Sequence, residues 1–299
     1  MLQEKSTTDI LTLTHGGSRC DLIPALGGSI AGWTVGGEAI LRPAGARAIA
    51  AHDPFGMASF PLVPYSNRIG NGRFEWGGKE FAVARNFAPE PNSIHGVGFE
   101  RPWQIAARAA DSVTLTLNHR PGASWPFAFE AQQRISLGED SLAIEMRAVN
   151  LAEQPVPLAF GHHPYFPRAG ASLRFRAQGV WLVGNDGLPS LLVKPFDKFD
   201  YSTAMPVTRG DIDHCFAGWD GKAEILWPDR HLAVEISASD SLPCAVVYIA
   251  GELDLFCFEP VPHINDALNR RGREHVMPVI APGESFTAGI RFRAVKREP

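Results

Sequence analysis

The sequence lacks several features that mark particular classes of protein. Four of its 299 residues are cysteines, scattered without a Cys-x-x-Cys pair at Cys20, Cys215, Cys244 and Cys257. No apolar run approaches the about 20 residues that a membrane-spanning helix requires. The first nine residues also have no apolar core of the kind found in secretory signals. We therefore expect reduced thiols, a cytoplasmic location and no membrane partner.

Charge of one sign is not in excess either. Lys and Arg total 28 against 32 for Asp and Glu, a formal charge of −4. No basic stripe with interleaved aromatic residues occurs, which argues against a nucleic-acid partner. The sequence has no Gly-x-Ser-x-Gly, no phosphate-binding P-loop and no Gly-x-Gly-x-x-Gly. Its ten histidines form no His-x-His or His-Glu-x-x-His cluster, so no metal site is expected.

Sustained helical periodicity is almost missing, and the best candidate is the short segment 265–270. Instead, 29 glycines and 24 prolines separate short segments in which apolar and polar residues alternate, as in strands with one buried face. These segments are 113–117, 134–137, 142–149, 232–236 and 286–292. The pattern predicts an all-β protein, a large antiparallel β-sandwich. No linker or change of composition divides the chain, so we expect a single domain, residues 1–299.

The first candidate for chemistry is His163, in the block His162-His163-Pro164-Tyr165-Phe166. It follows the apolar segment 156–160, which predicts a buried strand. Pro164 restricts His163 to extended backbone geometry, and Tyr165 offers a flat apolar surface suited to the C–H face of a sugar. The alternative is a histidine that only makes a structural hydrogen bond at a strand end. His162 should face the opposite way in an extended chain.

The second candidate is Glu259, which follows the apolar segment 255–258. That segment and 245–250 are predicted to be neighbouring buried strands. A carboxylate beside such a run is costly unless it is paired or functional, and Pro260 fixes the path by which the chain leaves. The alternative is a carboxylate that reaches solvent at the end of the strand.

Three further positions could contact a ligand. Asn67-Arg68, in a Gly-rich turn, offers a fork of donors for sugar hydroxyls or a phosphate. His95 is followed by a glycine, which lets a ligand approach closely, and Asp213 could accept hydrogen bonds from hydroxyls. The alternatives are an arginine bound to loop carbonyls, a plain loop histidine and a solvated loop acid. An acid, a base and fixed donors are the groups needed to move protons on and off a sugar ring.

Together these blocks resemble the aldose 1-epimerase family, the galactose mutarotases. The likeness begins near Leu26-Gly27-Gly28 and ends with Glu259-Pro260 and the segment 265–269. Between them it covers 64–74, His95-Gly96, 163–166 and 213–216. The resemblance implies a single-domain, galactose-mutarotase-like supersandwich with an open cleft on one sheet face. It also implies a sugar isomerase that needs neither a metal nor a cofactor.

The resemblance also implies roles for individual residues. His163 corresponds to the general acid and Glu259 to the general base, while five positions would contact the sugar: Asn67, Arg68, His95, Tyr165 and Asp213. Glu259, ionised at neutral pH because a carboxyl group that is not buried has a pKa of about 4.3, would take the proton of the anomeric hydroxyl. His163 would give a proton to the ring oxygen. The ring opens, the C1–C2 bond rotates, and the other anomer closes.

The sequence leaves the substrate and the activity partly open. A free hexose such as galactose or glucose is expected, and the alternative is a hexose 6-phosphate bound by Arg68, Arg73 or Arg101. A sugar-binding module without activity is a second alternative. A third is a glycoside hydrolase whose two carboxylates are Asp213 and Glu259. Nothing in the sequence indicates the oligomeric state.

Overall fold

The computed structural model describes residues 9–208, 210, 212–249, 251, 253–270 and 277–297. Within these residues the chain forms 26 β-strands, one short α-helix and six 3-10 helices. The strands are β1 (Leu11–His15), β2 (Ser18–Ile23), β3 (Ser29–Val35), β4 (Glu38–Leu41), β5 (Ser59–Leu62), β6 (Arg68–Ile69), β7 (Arg73–Trp76), β8 (Lys79–Ala82), β9 (Ser93–Ile94), β10 (Gln104–Arg108), β11 (Ser112–His119), β12 (Phe129–Leu137), β13 (Ser141–Asn150), β14 (Val156–Pro157), β15 (Gly161–Pro167), β16 (Ser172–Phe175), β17 (Gly179–Val183), β18 (Pro189–Val193), β19 (Met205–Pro206), β20 (Ile212–Ala217), β21 (Lys222–Trp227), β22 (Leu232–Ala238), β23 (Cys244–Ile249), β24 (Leu255–Val261), β25 (Val279–Ile280) and β26 (Ser285–Lys296). The α-helix is α1 (Ala46–Ala50), and the 3-10 helices are Pro54–Gly56, Gly70–Gly72, Gly98–Glu100, Asp197–Phe199, Pro228–Arg230 and Ala267–Asn269.

Most of the strands belong to two large antiparallel sheets. The first sheet has eleven strands in the order β1-β2-β3-β5-β15-β24-β23-β20-β17-β18, with β4 also paired to β3. The second has nine strands in the order β10-β11-β12-β13-β26-β22-β21-β16-β19. The pairs β6–β9, β7–β8 and β14–β25 form three small sheets. The prediction of a large antiparallel β-sandwich is confirmed.

Apolar side chains of both large sheets share one core. The predicted hairpin is present as β12 and β13, and alternate residues of both strands, such as Ile135 and Ile144, are buried. Trp33 of β3 lies 6.5 Å from Phe292 of β26 between ring centroids, so the contact joins the two sheets. Burial of this apolar surface supplies the main driving force for folding. The alternating segments therefore form core strands because the apolar face of each strand is buried, as the alternation predicted.

A buried polar bridge also crosses between the sheets. His162 Nδ1 contacts the Ser59 hydroxyl at 2.5 Å, and His162 Nε2 lies 3.1 Å from Gln133 Oε1 on β12. Gln133 in turn donates to the carbonyl of Gly28 at 2.8 Å. His162 thus points into the sandwich while its neighbour His163 points to the opposite face of the sheet. The prediction that the two histidines face opposite ways is confirmed.

Three predicted positions differ from the strand ends and loops that the sequence suggested. His163 lies inside β15, and the apolar segment before it forms only the two-residue strand β14 instead of a strand that ends at His163. Glu259 lies inside β24, which continues through Pro260 to Val261. Asp213 lies in β20 instead of a loop. All three strands are in the middle of the large sheet, so these side chains are held by pairing on both sides.

Helical structure and the cysteines complete the comparison with the sequence. The segment 265–270 contains only a 3-10 turn, Ala267–Asn269, and the helix α1 was not predicted. No helix in the described ranges is long and apolar enough to cross a bilayer. All four cysteines are buried, and none forms a disulfide.

Candidate active site

A cavity of about 540 Å³ opens on the outer face of the eleven-stranded sheet. All seven predicted site residues line it: Asn67, Arg68, His95, His163, Tyr165, Asp213 and Glu259. Four of them come from the central strands β15, β24 and β20, and the other three lie in or directly beside the short strands β6 and β9. The floor of the cavity is therefore rigid sheet, and one wall is a loop held by its own short ladder.

The floor is formed by a contact between His163 and Glu259. Strands β15 and β24 pair with Tyr165 opposite Cys257, and continuing that register by two residues brings His163 opposite Glu259. The His163 Nε2 atom lies 3.3 Å from Glu259 Oε1. Their exposed fractions are 6% and 2%. The solvent-reaching carboxylate that was the alternative for Glu259 is thereby excluded.

Burial shifts the protonation of this pair. Removal from water raises the pKa of Glu259 well above its ordinary value, and Asp213 and Cys215 add to the rise. Burial likewise lowers the pKa of His163 to about 3. The ordinary carboxyl pKa was expected of a Glu259 that is not buried, and the structure does not meet that condition. The pair by itself favours a neutral carboxyl group beside a neutral imidazole, because burial penalises the charged form of each.

Aromatic rings hold the His163 imidazole in place. Its ring stacks on Phe60 with centroids 4.6 Å apart, and Tyr165 lies 4.6 Å away on the same imidazole. The register of β15 with β5 sets His163 opposite Phe60. His95 meets the imidazole edge-on at 5.1 Å. The imidazole is thus confined to one plane, which aims Nε2 at the cavity floor.

Arg68 joins both walls of the cavity. Its Nη1 donates to Asp213 Oδ2 at 3.0 Å and to Asn67 Oδ1 at 3.3 Å, and its Nε donates to Glu90 Oε2 at 3.4 Å. Asn92 supports Glu90 through a hydrogen bond of 2.6 Å. The arginine is therefore held between two carboxylates and does not pin loop carbonyls. Asp213 is correspondingly an anchored acceptor and not a solvated acid.

His95 is fixed in one tautomer by its loop. The backbone N–H of Asn67 donates to His95 Nδ1 at 3.1 Å, and the His95 N–H donates to the Asn67 carbonyl at 2.9 Å. Burial lowers the pKa of His95 well below its ordinary value, and the nearby His163 and Arg68 lower it further. A neutral imidazole that accepts at Nδ1 carries its proton on Nε2. His95 is therefore a neutral hydrogen-bond donor.

This loop adopts a backbone that few residues tolerate. Asn67 and His95 both have positive φ, 56° and 60°. Such φ values cost about 1–3 kcal/mol in residues other than glycine and concentrate at ligand sites. The crossed hydrogen bonds between the two residues compensate for part of this cost.

Several lining residues were missed by sequence reasoning. Arg42 lies with its guanidinium carbon 4.8 Å from the centroid of the Tyr165 ring and donates to the Met57 carbonyl at 2.6 Å. Tyr248 sits opposite Asp213 in the β20–β23 register. Phe87 and Leu253 are exposed at the cavity rim. The hydroxyl-bearing Tyr248 within the otherwise apolar segment 245–250 could have been noticed, but Arg42 stands in no recognisable motif.

One group of side chains in the described part of the chain has the spacing needed to hold a metal ion. It consists of His163, Cys257 and Glu259, whose ligand atoms lie within 4.8 Å of one another. The sequence gave no sign of this group, because His163 is distant in the chain from Cys257 and Glu259 and meets them only through the β15–β24 register.

Comparison with known proteins adds to these observations. The chain matches the family model described as Aldose 1-epimerase over residues 9–293. It is 29% identical over 293 residues to the uncharacterized protein YphB of Escherichia coli K12, across 95% of this chain and 98% of that protein. It is 27% identical over 158 residues to the galactose mutarotase of Mus musculus, across 48% of this chain and 44% of that protein. A solved galactose mutarotase-like protein from Clostridium acetobutylicum shares the fold, with a TM-score of 0.87 at 20% identity and coverage of 97% and 96%.

Proposed function

Because the chain belongs to the aldose 1-epimerase family, we propose that it interconverts the α and β anomers of a free aldose in the cytoplasm. A hexose such as galactose or glucose is the proposed substrate. The observation that carries this proposal is the His163–Glu259 contact of 3.3 Å at the floor of the cavity. An acid and a base that meet at one point can serve the two oxygens of a single anomeric carbon.

The proposed reaction moves two protons. Glu259 accepts the proton of the anomeric hydroxyl, and His163 gives a proton to the ring oxygen, so the C1–O5 bond breaks and an aldehyde forms. Rotation about C1–C2 presents the other face of the aldehyde. The C5 hydroxyl then attacks C1, His163 takes the hydroxyl proton back, and Glu259 returns its proton to the new anomeric oxygen. Each positioned transfer contributes roughly 10²–10⁴-fold in rate.

The shifted pKa values fit this scheme once the pair is treated as a unit. Ring opening begins with a carboxylate and an imidazolium and ends with a carboxyl group and a neutral imidazole, so the pair holds one proton at both ends of the step. Burial favours the neutral carboxyl group with the neutral imidazole. Hydroxyl groups of a bound sugar that donate to Glu259 would favour the carboxylate with the imidazolium. The two distributions differ only by one proton transfer over the 3.3 Å contact.

The pairing of Arg68 and Arg73 supports an unphosphorylated sugar, although a third arginine, Arg42, lines the cavity without a carboxylate partner among the described residues. Arg68 is already paired with two carboxylates, Asp213 and Glu90. Arg73 pairs with Glu80 at 2.5 Å on the protein surface, and it does not line the cavity. A phosphate bound by Arg68 or Arg73 would have to displace a carboxylate from the guanidinium group. In contrast, neutral hydroxyls can share donors and acceptors with an existing ion pair.

Polarimetry tests the proposal directly. Freshly dissolved α-D-galactose and α-D-glucose change optical rotation as they reach anomeric equilibrium, and the purified protein should accelerate this change in proportion to its concentration. Galactose 6-phosphate and glucose 6-phosphate, assayed in parallel, should be accelerated less. Sugar binding without acceleration for any aldose would instead favour the binding module. Release of reducing ends from a disaccharide would favour the hydrolase.

A further inference from the structure

Cys257 has no part in the proposed proton transfers, although it lies beside both groups that carry them. It stands two residues before Glu259 on β24, so the two side chains project from the same face of the sheet. Its β15 partner is Tyr165, two residues after His163. The thiol is fully buried and unpaired. The thiol of Cys257, the imidazole of His163 and the carboxyl group of Glu259 therefore bring three different types of metal ligand together.

The spacing of the three groups is close to that of a metal site. Zn–N and Zn–O bonds of about 2.0–2.1 Å and Zn–S bonds of about 2.3 Å place tetrahedral ligand atoms roughly 3.3–3.8 Å apart. The Nε2 atom of His163 and Oε1 of Glu259 are 3.3 Å apart, and all three ligand atoms lie within 4.8 Å. A side-chain shift of about 1 Å or less would complete the set.

The carboxyl group of Glu259 has an oxygen available for a ligand. Its Oε2 atom is buried and has no hydrogen-bond partner among the described residues. A buried polar atom without a partner costs about 1–3 kcal/mol, and coordination would remove that cost. A divalent cation held by one thiolate and one carboxylate is also electrically neutral as a group, which favours its burial.

We propose that His163, Cys257 and Glu259 form an inhibitory site for a thiophilic divalent cation, of which Zn²⁺ is the type. The Cys257 thiol and the acid–base pair each release one proton to solvent as the ion binds, so that a thiolate, a carboxylate and a neutral imidazole hold it, and the fourth coordination position faces the cavity. The bound ion occupies the acid and the base together, so sugar turnover stops. The inhibition rests on the proposed function, whereas the binding of the ion does not. Mg²⁺ should not bind, because it prefers oxygen ligands.

The test compares two buried-cysteine variants in the mutarotation assay. Wild-type protein and the control Cys20→Ala should lose activity as Zn²⁺ is added, with a rise in apparent KM, and EDTA should restore it. Cys257→Ala should keep its basal activity and need at least about tenfold more Zn²⁺ for half inhibition. Mg²⁺ should leave all three proteins unaffected. Equal sensitivity of Cys257→Ala and wild type, or activation by Zn²⁺, would overturn the proposal.

A spectroscopic measurement keeps the proposal testable without activity. Co²⁺ bound through a thiolate gives a near-ultraviolet charge-transfer band, which should appear in the wild-type protein and in Cys20→Ala. It should be missing in Cys257→Val, which retains apolar volume at the site if the alanine variant does not fold. The band would appear even if mutarotation were not the activity. Its absence from folded wild-type protein would refute the metal site while leaving the proposed function intact.

Discussion

The burial of the Glu259 side chain is unfavourable for the stability of the fold. Its side chain is 2% exposed and one of its oxygens lacks a partner within the described structure. The imidazole of His163 beside it is also favoured in its neutral form by burial. Stability alone would place an apolar or neutral side chain at this position. Conflict between local stability and residue type is typical of functional sites.

We predict that Glu259→Gln abolishes activity and stabilises the fold. The change removes the base, so kcat should fall by roughly 10²-fold or more, as it should in His163→Asn. The folded-state pKa of Glu259 is raised, so wild-type stability declines as pH rises above the unfolded carboxyl pKa. The neutral amide removes that decline. Polarimetry and urea unfolding at neutral pH should show lost activity and a gain of about 1–3 kcal/mol.

Glu80→Gln provides the matched control for this prediction. Glu80 is exposed and pairs with Arg73 outside the cavity, so its amide variant should change neither measurement appreciably. The stability difference between Glu259→Gln and wild type should widen with pH until Glu259 itself ionises. A fully active Glu259→Gln protein would contradict the assigned base. A Glu259→Gln protein less stable than wild type would contradict the inference that burial of the Glu259 carboxyl group is unfavourable.

The pH dependence of kcat/KM provides a separate residue-scale prediction. The active pair must hold one proton, and it gains a second only near the lowered His163 pKa of about 3. It loses its proton only when Glu259, whose pKa is raised, ionises. After subtraction of the uncatalysed rate, kcat/KM should stay level above about pH 5 and fall only as Glu259 ionises, well above the ordinary carboxyl pKa. An acidic limb centred near pH 6.5 would indicate an imidazole that titrates normally.

At the scale of elements, the strand register determines most of the site. The offset of β15 against β24 sets His163 opposite Glu259, and the offset of β20 against β23 sets Asp213 opposite Tyr248. A shift of one residue in either ladder would turn these side chains into the core. The geometry of the candidate site is thus a consequence of sheet pairing, and residues in and beside the short strands β6 and β9 supply the hydrogen-bond donors.

We predict that Gly96→Ala disorganises this loop. Gly96 has φ +73°, and a Cβ added there would lie 2.3 Å from the Val63 carbonyl oxygen, so the chain that carries His95 must move. The variant should raise KM and lose more than the about 1–3 kcal/mol that positive φ alone costs. Mutarotation kinetics and urea unfolding would measure both effects.

Gly77→Ala separates strain from collision in this experiment. Gly77 also has positive φ, +57°, but an added Cβ would meet nothing within 4 Å. The control should therefore lose stability from the backbone conformation alone and keep its KM. Equal effects of the two substitutions would show that the contact with Val63 does not determine the loop's position.

The sequence predicted element types better than it predicted element boundaries. Strict alternation gave the β12–β13 hairpin, because a strand with one buried face must alternate. Pro164 and Pro260 suggested that the strands end near His163 and Glu259, yet β15 and β24 run through both prolines. His163 and Glu259 were recognisable because each follows an apolar segment, and Asn67, Arg68 and His95 because they lie near glycines. Arg42 and Cys257 were not recognisable from the sequence, since their roles depend on the register between strands and on neighbours distant in the chain.

At the scale of the whole molecule, the two large sheets are joined by polar contacts as well as by the apolar core. Gln133 projects from β12 of the nine-stranded sheet, is fully buried, and bonds both His162 and Gly28 on the side of the eleven-stranded sheet. Apolar packing tolerates small slides between two sheets, whereas these directional bonds fix one relative position. The cavity lies on the opposite face of the eleven-stranded sheet, so the bridge supports its floor from behind.

We therefore predict that Gln133→Leu destabilises the protein without changing its chemistry. The substitution leaves the buried Gly28 carbonyl and His162 Nε2 without their partner, at about 1–3 kcal/mol for each group. Calorimetry should show a lower unfolding temperature, and still a single transition if the chain is one domain, as we propose. Gln132→Leu, on the half-buried opposite face of the same strand, should cost much less. If Gln133→Leu lost kcat at temperatures where it remains folded, the bridge would be positioning His163 through its neighbour and not only joining the sheets.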